Sequence, residues 1–163
     1  MRELAGADAY SGAIVPTPSM FRFERTVRFH EVDAARIVFF ARFLDYCHDA
    51  LEELFGALPG GYARLTMTDD VGIPSVRVEV EYKSPLKYGD IAVIEVSVEA
   101  IGTKSVTFRH VIRRKSDGVE CASVRQVVVT ARLSQLGAVP VPPAVRALLE
   151  AHLAPAVNAP AGT

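Results

Sequence analysis

The sequence predicts an α+β protein: an antiparallel sheet of about five strands wrapped around one long central helix. Three observations predict it. Apolar residues recur at helical spacing only once at length, between Phe40 and Phe55. Strict apolar–polar alternation, the strand period, occurs in five other runs. Turn signals separate those runs at short intervals, which suits antiparallel neighbours.

Taken in order, Phe21 to Phe29 alternates, with Phe21, Phe23, Arg25, Val27 and Phe29 on one side, and predicts the first strand. The helix is predicted over 40–55. Its apolar stripe is read as Phe43, Leu44, Cys47, Leu51, Leu54 and Phe55, and Gly56 with Pro59-Gly60-Gly61 stops it. A loop carrying Met67 to Asp70 and Gly72-Ile73-Pro74 follows. Four strands are expected next: one over Val76 to Tyr82, one over Ile94 to Ile101, one over Val106 to Arg113, and a last long one over Val119 to Leu133. Tyr88-Gly89-Asp90, Gly102-Thr103 and Ser116-Asp117-Gly118 mark the turns between them. A short helix is expected from Pro143 to about Leu153. Residues 1–20 and 154–163 are small, polar or Ala/Pro-rich and read as tails, which leaves a single domain over 21–153. Alternation makes one sheet face apolar, and one helix covers it only in part. Open edges and residual apolar surface favour pairing with a second copy: a homodimer, assembling into a homotetramer.

The chain has 163 residues, 50% of them hydrophobic, and a net charge of −1, so no global basic field draws it to nucleic acid or to an anionic membrane. The N-terminus lacks a basic start and a long apolar core, and no apolar run reaches the roughly 20 residues that span a bilayer; a cytoplasmic location is expected. The two cysteines, Cys47 and Cys121, have neither metal-site nor disulfide-framework spacing and are read as reduced. No HExxH, Cys/His cluster or paired carboxylates at metal spacing occur, and no metal or cofactor is expected. The absence of GxSxG, P-loop and GxGxxG patterns removes the usual serine-hydrolase, NTPase and dinucleotide-binding readings.

Asp33 is the leading candidate for chemistry. It lies between a strand and a helix whose first N–H groups lack partners within the helix. A carboxylate beside such amides pairs a base or nucleophile with an oxyanion site. The competing reading is a turn or helix-cap role. Glu31 and Asp45 lie nearby, and Asp45, with Asp49 and Glu52, falls on the polar side of the helix. His30 and His48 are read as surface histidines before catalytic ones, and His110 as a satisfied interior histidine. Lys83, Lys87, Lys104, Arg113 and Arg114 are candidates for gripping phosphates, against ordinary solvated charge.

The segment VRFHEVDAARIVFFARFLDYCHDAL resembles the signature of the 4-hydroxybenzoyl-CoA thioesterase family of hotdog-fold acyl-CoA thioesterases. Gly72-Ile73-Pro74 leading into VRVEVEYKSPLKYGDIAVIEV, and Lys104-Ser105 followed by VTFRH, resemble further parts of that family in the right order. The resemblance covers about residues 21 to 135. It implies hydrolysis of an acyl-CoA thioester, with CoA as part of the substrate. Asp33 then attacks the carbonyl or activates water, and the backbone N–H of Phe40 polarises the carbonyl oxygen. Phe39 and Phe43 are then among the aromatic residues near the acyl pocket, Lys104 matches one of the family's CoA-holding basic residues, and Ile73 is read from its apolar character as a further substrate-binding wall. Arg36 departs from the pattern by setting a bulky cation after the aspartate. Phe39, Phe40, Phe43, Tyr46 and Ile73 favour an aromatic or bulky apolar acyl group, although Phe43 and Tyr46 also suit a core. A thioesterase for chains held on an acyl carrier protein, and a non-catalytic acyl-CoA-binding protein, are the alternatives.

Overall fold

The computed structural model describes residues 20–155; the expected tails over 1–20 and 154–163 lie almost wholly outside them. The strands are β1 (Phe21–Thr26), β2 (Val71–Gly72), β3 (Ser75–Tyr82), β4 (Ile91–Ile101), β5 (Ser105–Arg114), β6 (Glu120–Val129), β7 (Ala131–Arg132) and β8 (Gly137–Ala138). A 3-10 turn spans Phe29–Glu31, and the helices are α1 (Arg42–Phe55), α2 (Gly61–Met67) and α3 (Pro143–Glu150). Five strands form one antiparallel sheet in the order β1-β4-β5-β6-β3, as the alternation predicts, and β2-β7-β8 form a small second sheet.

The long helix expected from the sequence is α1, the longest of three among the described residues; α3 is the short helix expected from Pro143, and α2 is additional. Phe43, Tyr46, Cys47, Ala50, Leu51, Leu54 and Phe55 of α1 are buried, at the i, i+3, i+4, i+7 spacing of one face. That face meets Ile94, Val96 and Val98 of β4 together with Phe108 and Ile112 of β5 in one core. Leu44, placed on the stripe from sequence, is 39% exposed, and Tyr46 and Ala50 occupy the buried side instead. The helix begins at Arg42 rather than Phe40, because residues 39–41 form a turn ahead of it. α2 was expected as loop. Only Leu65 of its seven residues is buried, so it carries no periodic signal. Gly60, at φ +80°, lets the chain reverse into it, and a Cβ there would meet the Arg64 side chain at 2.5 Å.

Three strand boundaries move by three residues or more; β4 begins at Ile91 rather than Ile94. β1 stops at Thr26, and Phe29 enters the 3-10 turn with its side chain in solvent. The run 119–133 breaks at Thr130, whose N–H and Oγ1 both donate to the Lys104 carbonyl, so Ala131–Arg132 joins the second sheet. β3 pairs with β6 on one side only and leaves Val76, Val78 and Tyr82 exposed along the open edge.

His110 is wholly buried on β5, as expected for an interior histidine, with Nε2 3.0 Å from Gln126 Oε1. Its Nδ1 has no partner among the described residues. Burial pushes the imidazole down to about 4. The folded state therefore resists a proton that the unfolded chain accepts below pH 6.5. Stability is complete above that pH and is lost as the pH falls toward 4. A loss of about 2 kcal/mol is expected between pH 6.5 and 5, read by urea unfolding, and the slope should flatten in His110→Leu.

Candidate active site

The candidate site is built on the chain between β1 and α1. Val27 donates to the Asp90 carbonyl (2.8 Å), and Gly89 returns a bond to the Val27 carbonyl (3.1 Å), which ties this segment to the β3–β4 loop. After the 3-10 turn the chain doubles back as a tight hairpin. Val32 bridges Val38, Asp33 N–H donates to the Ile37 carbonyl (3.0 Å), and Arg36 N–H donates to the Asp33 carbonyl (2.9 Å). Asp33 Oδ1 accepts the Ala35 N–H at 2.8 Å. Asp33 thus shapes its own turn, an Asx geometry suited to aspartate. It does not cap α1, whose N-cap residue, Ala41, bears no side-chain bond. The second carboxylate oxygen has no partner among the described residues.

Arg36 closes the hairpin at φ +63°. A non-glycine residue in that left-handed region costs about 1 kcal/mol.

Asp33 opens into a cleft of about 460 Å³ together with Ile37, Val38, Phe39, Phe40, Phe43, Tyr82, Lys83, Ser84 and Pro85. The structure thus brings Asp33, Phe39, Phe40 and Phe43 together. Phe43 is buried and forms the floor, while Phe39 and Phe40 stand at the mouth, their ring centroids 4.6 Å apart. Tyr46, for which a pocket wall and a core position were both open, is core. Phe40 precedes α1 by two residues, and its N–H has no acceptor among the described residues. A free amide of this kind, in the turn leading into a helix, suits a developing negative charge.

Ile73 and Lys104 do not join this cleft within one copy. Ile73 lines a separate cavity of about 410 Å³ with His48, Leu51, Tyr62 and Gln126, between α1 and the β3 edge. Lys104 lies in the turn before β5, where its carbonyl accepts from Thr130. His30 and His48 are exposed, and His48 Nε2 lies 3.9 Å from Glu52.

Tyr82 was missed as a site residue. Its hydroxyl donates to the Phe40 carbonyl at 2.9 Å, and its ring meets Phe43 edge-on, with centroids 5.4 Å apart. The bond fixes the peptide that follows Phe40, and desolvation raises the phenol above its ordinary range, with a smaller contribution from Cys47. An aromatic at the end of an alternating strand carries no local sign of this role, because its partner lies 42 residues away. Lys83 also borders the cleft, but its ammonium is held by Glu120 at 2.6 Å and Glu81 at 3.7 Å. The bond to Glu120 raises its pKa.

Glu31 was read only as an acid near Asp33. It is 4% exposed and is the anchor of the loop. Its carboxylate accepts from Arg25, from Arg28 N–H (2.6 Å) and from the Tyr46 hydroxyl (3.1 Å), and its carbonyl accepts the Phe39 N–H (2.9 Å). Arg25 also pairs with Asp49 and lies over the Tyr46 ring, 4.2 Å from its centroid. Asp49, placed on the polar side of the helix from sequence, is therefore part of an ion-pair network. Both cysteines are buried and free, and burial pushes the Cys47 thiol up to about 12, which keeps it protonated and inert. Among the described residues, no three His, Cys, Asp or Glu side chains converge to hold a metal ion. No helix among them is long and apolar enough to cross a membrane.

Comparison with known proteins agrees with this architecture. Residues 27–149 match the thioesterase-like superfamily. Over 84 residues the chain is 38% identical to a 1,4-dihydroxy-2-naphthoyl-CoA hydrolase of Synechococcus elongatus, a stretch covering 50% of this chain and 61% of that protein, less than two thirds of its length. It is 31% identical over 111 residues to a protein of the same name from Nostoc punctiforme, covering 68% of this chain and 75% of the relative. The crystal structure of a thioesterase-superfamily protein from Jannaschia sp. CCS1 superposes with a TM-score of 0.76 at 30% identity, over 86% of this chain and 99% of that one. The chain belongs to the thioesterase-like superfamily, and its five-stranded sheet and α1 have the hotdog fold of the acyl-CoA thioesterases that its sequence resembles.

Proposed function

We propose that this protein hydrolyses an aromatic or bulky apolar acyl-CoA to the free acid and CoA. One observation carries the reading: Asp33 opens into an apolar cleft that also contains the turn with the unpartnered Phe40 N–H. The relatives named as hydrolases of 1,4-dihydroxy-2-naphthoyl-CoA support a flat acyl group. Phe39, Phe40, Phe43 and Tyr82 offer faces and edges for a ring to pack against. Asp33 carries the attack on the thioester carbonyl, directly or through a water that it deprotonates. The carbonyl oxygen takes up negative charge and is met by the Phe40 N–H. The carbon–sulfur bond then breaks, and the thiolate leaves without needing a strong general acid. After direct attack, water hydrolyses the acyl-aspartyl anhydride to release the acid and restore Asp33; after attack by water, the proton held by Asp33 passes to the thiolate or to solvent.

Asp33 is exposed in a single copy. A second copy is the natural cover, paired along the open β3 edge where Val76, Val78 and Tyr82 are exposed. Ile73, two residues before β3, joins such a site only across that pairing. The two buried free cysteines suit a reducing, cytoplasmic setting.

The test is thiol release across aroyl-, phenylacyl- and straight-chain CoA esters. Turnover confined to the aromatic esters is expected; a preference for straight chains, or no turnover on any ester, overturns the reading. With the best ester, Tyr82→Phe should lower kcat about fivefold. It removes one neutral hydrogen bond that holds the Phe40 peptide and leaves the ring in place.

A further inference from the structure

We propose that Arg36 and Lys87, with the exposed rings of Phe29 and Tyr88, hold the phosphorylated adenosine end of CoA. The proposal rests on the acyl-CoA reading above and gives the nucleotide a place in this chain.

The two segments that carry these residues lie side by side next to Asp33. Ile37 bridges Lys87, Val38 N–H donates to the Leu86 carbonyl at 2.8 Å, and Gly89 N–H donates to Val27. Arg36 is adjacent to that bridge and three residues from Asp33. Cations elsewhere on the surface are commonly engaged, as Arg113 is with Glu95 and Lys115 with Glu24. Arg36 and Lys87 have no carboxylate partner among the described residues. The nearby acids do not neutralise them directly: Asp33 Oδ1 is bonded to Ala35 N–H, and Asp90 Oδ2 to the backbone N–H of Lys87 at 2.8 Å.

Two further features point to a ligand. Arg36 occupies a left-handed position that glycine would fill without strain, so a bulky cation is kept there against the local preference. Phe29 and Tyr88 are 76% and 64% exposed, and their rings meet edge-on with centroids 5.8 Å apart. An exposed aromatic pair flanked by unpaired cations matches a purine carrying phosphates: the base packs on a ring face and the anions meet guanidinium and ammonium. Lys104, the family-matched candidate, borders no part of the Asp33 cleft in the same copy.

The test uses the whole protein and the double variant Arg36→Gly/Lys87→Gln, in which glycine suits φ +63°. Adenosine 3′,5′-bisphosphate is titrated by calorimetry. The ratio of kcat/KM for an aroyl-CoA to that for the matching aroyl-pantetheine, which lacks the phosphates, is measured alongside. Wild-type protein should bind the nucleotide. The double variant should weaken that binding and lower the ratio, each about tenfold, and Phe29→Ala should weaken binding by a few-fold. Failure of the wild type to bind the nucleotide overturns the proposal. So does a double variant that matches wild type in both readouts, or a loss produced by Lys104→Gln in its place. Nucleotide binding is read without hydrolysis. If it behaves as expected while no acyl-CoA is turned over, the catalytic reading fails and this one stands.

Discussion

Replacing Asp33 with Asn is expected to lower kcat/KM for the preferred aroyl-CoA about a thousandfold while leaving the unfolding transition in place. The amide keeps an oxygen that can accept the Ala35 N–H, so the turn survives. What disappears is the negative oxygen, needed either to attack the carbonyl or to take a proton from water, a role worth roughly 10²- to 10⁴-fold. Thiol release in the variant, with circular dichroism and thermal unfolding beside it, separates loss of chemistry from loss of fold. Near-wild-type turnover in a folded Asp33→Asn protein would remove Asp33 from the mechanism.

Glu31→Ala should instead act on the scaffold, destabilising the protein by about 4 kcal/mol. Glu31 is buried, and Arg25, itself 18% exposed at the side chain, depends on it for charge compensation. Removing one partner of such a pair strands the other charge, which costs roughly 3–5 kcal/mol. The Arg28 N–H and the Tyr46 hydroxyl also lose their acceptor. Asp49 still meets Arg25 from the solvent side and limits the loss. The expected readout is a Tm lower by about 8–16 °C, at 2–4 °C per kcal/mol for a chain of this size. Because the Glu31 carboxylate also holds the 3-10 turn through the Arg28 N–H, the loop bearing Asp33 should loosen before the sheet does, which hydrogen exchange would show as early exposure of residues 28–39. A Tm within 2 °C of wild type would mean that the network contributes little.

The five strands of the main sheet and their antiparallel pairing were legible because alternation with a period of two reports directly on which face of a sheet is buried, whereas the two-residue strands of the second sheet are too short to alternate. The course of α1 was legible for the matching reason: Phe43, Cys47, Leu51 and Leu54 repeat at helical spacing. Leu44 falls just outside the buried face because apolar spacing alone does not fix where a helical stripe ends, and only the packing against β4 and β5 turns Tyr46 and Ala50 inward. α2 could not be read, since one buried leucine makes no pattern. The grouping of Asp33, Phe39, Phe40 and Phe43 was within reach, all four lying inside eleven consecutive residues.

The rest of the site depends on contacts between distant parts of the chain. Tyr82 joins Phe40 across 42 residues, Arg25 and Asp49 meet across 24, and the segments carrying Arg36 and Lys87 lie side by side because a bridge aligns Ile37 with Lys87. The sequence alone determined the periodicities, and with them the main elements, the sheet's buried face and the position of Asp33 before the main helix. Tertiary structure alone decided which side chains share a cleft, which acid is buried and which cations stay unpaired. Periodicity is a local property of backbone geometry, whereas a site is a set of distances across the fold.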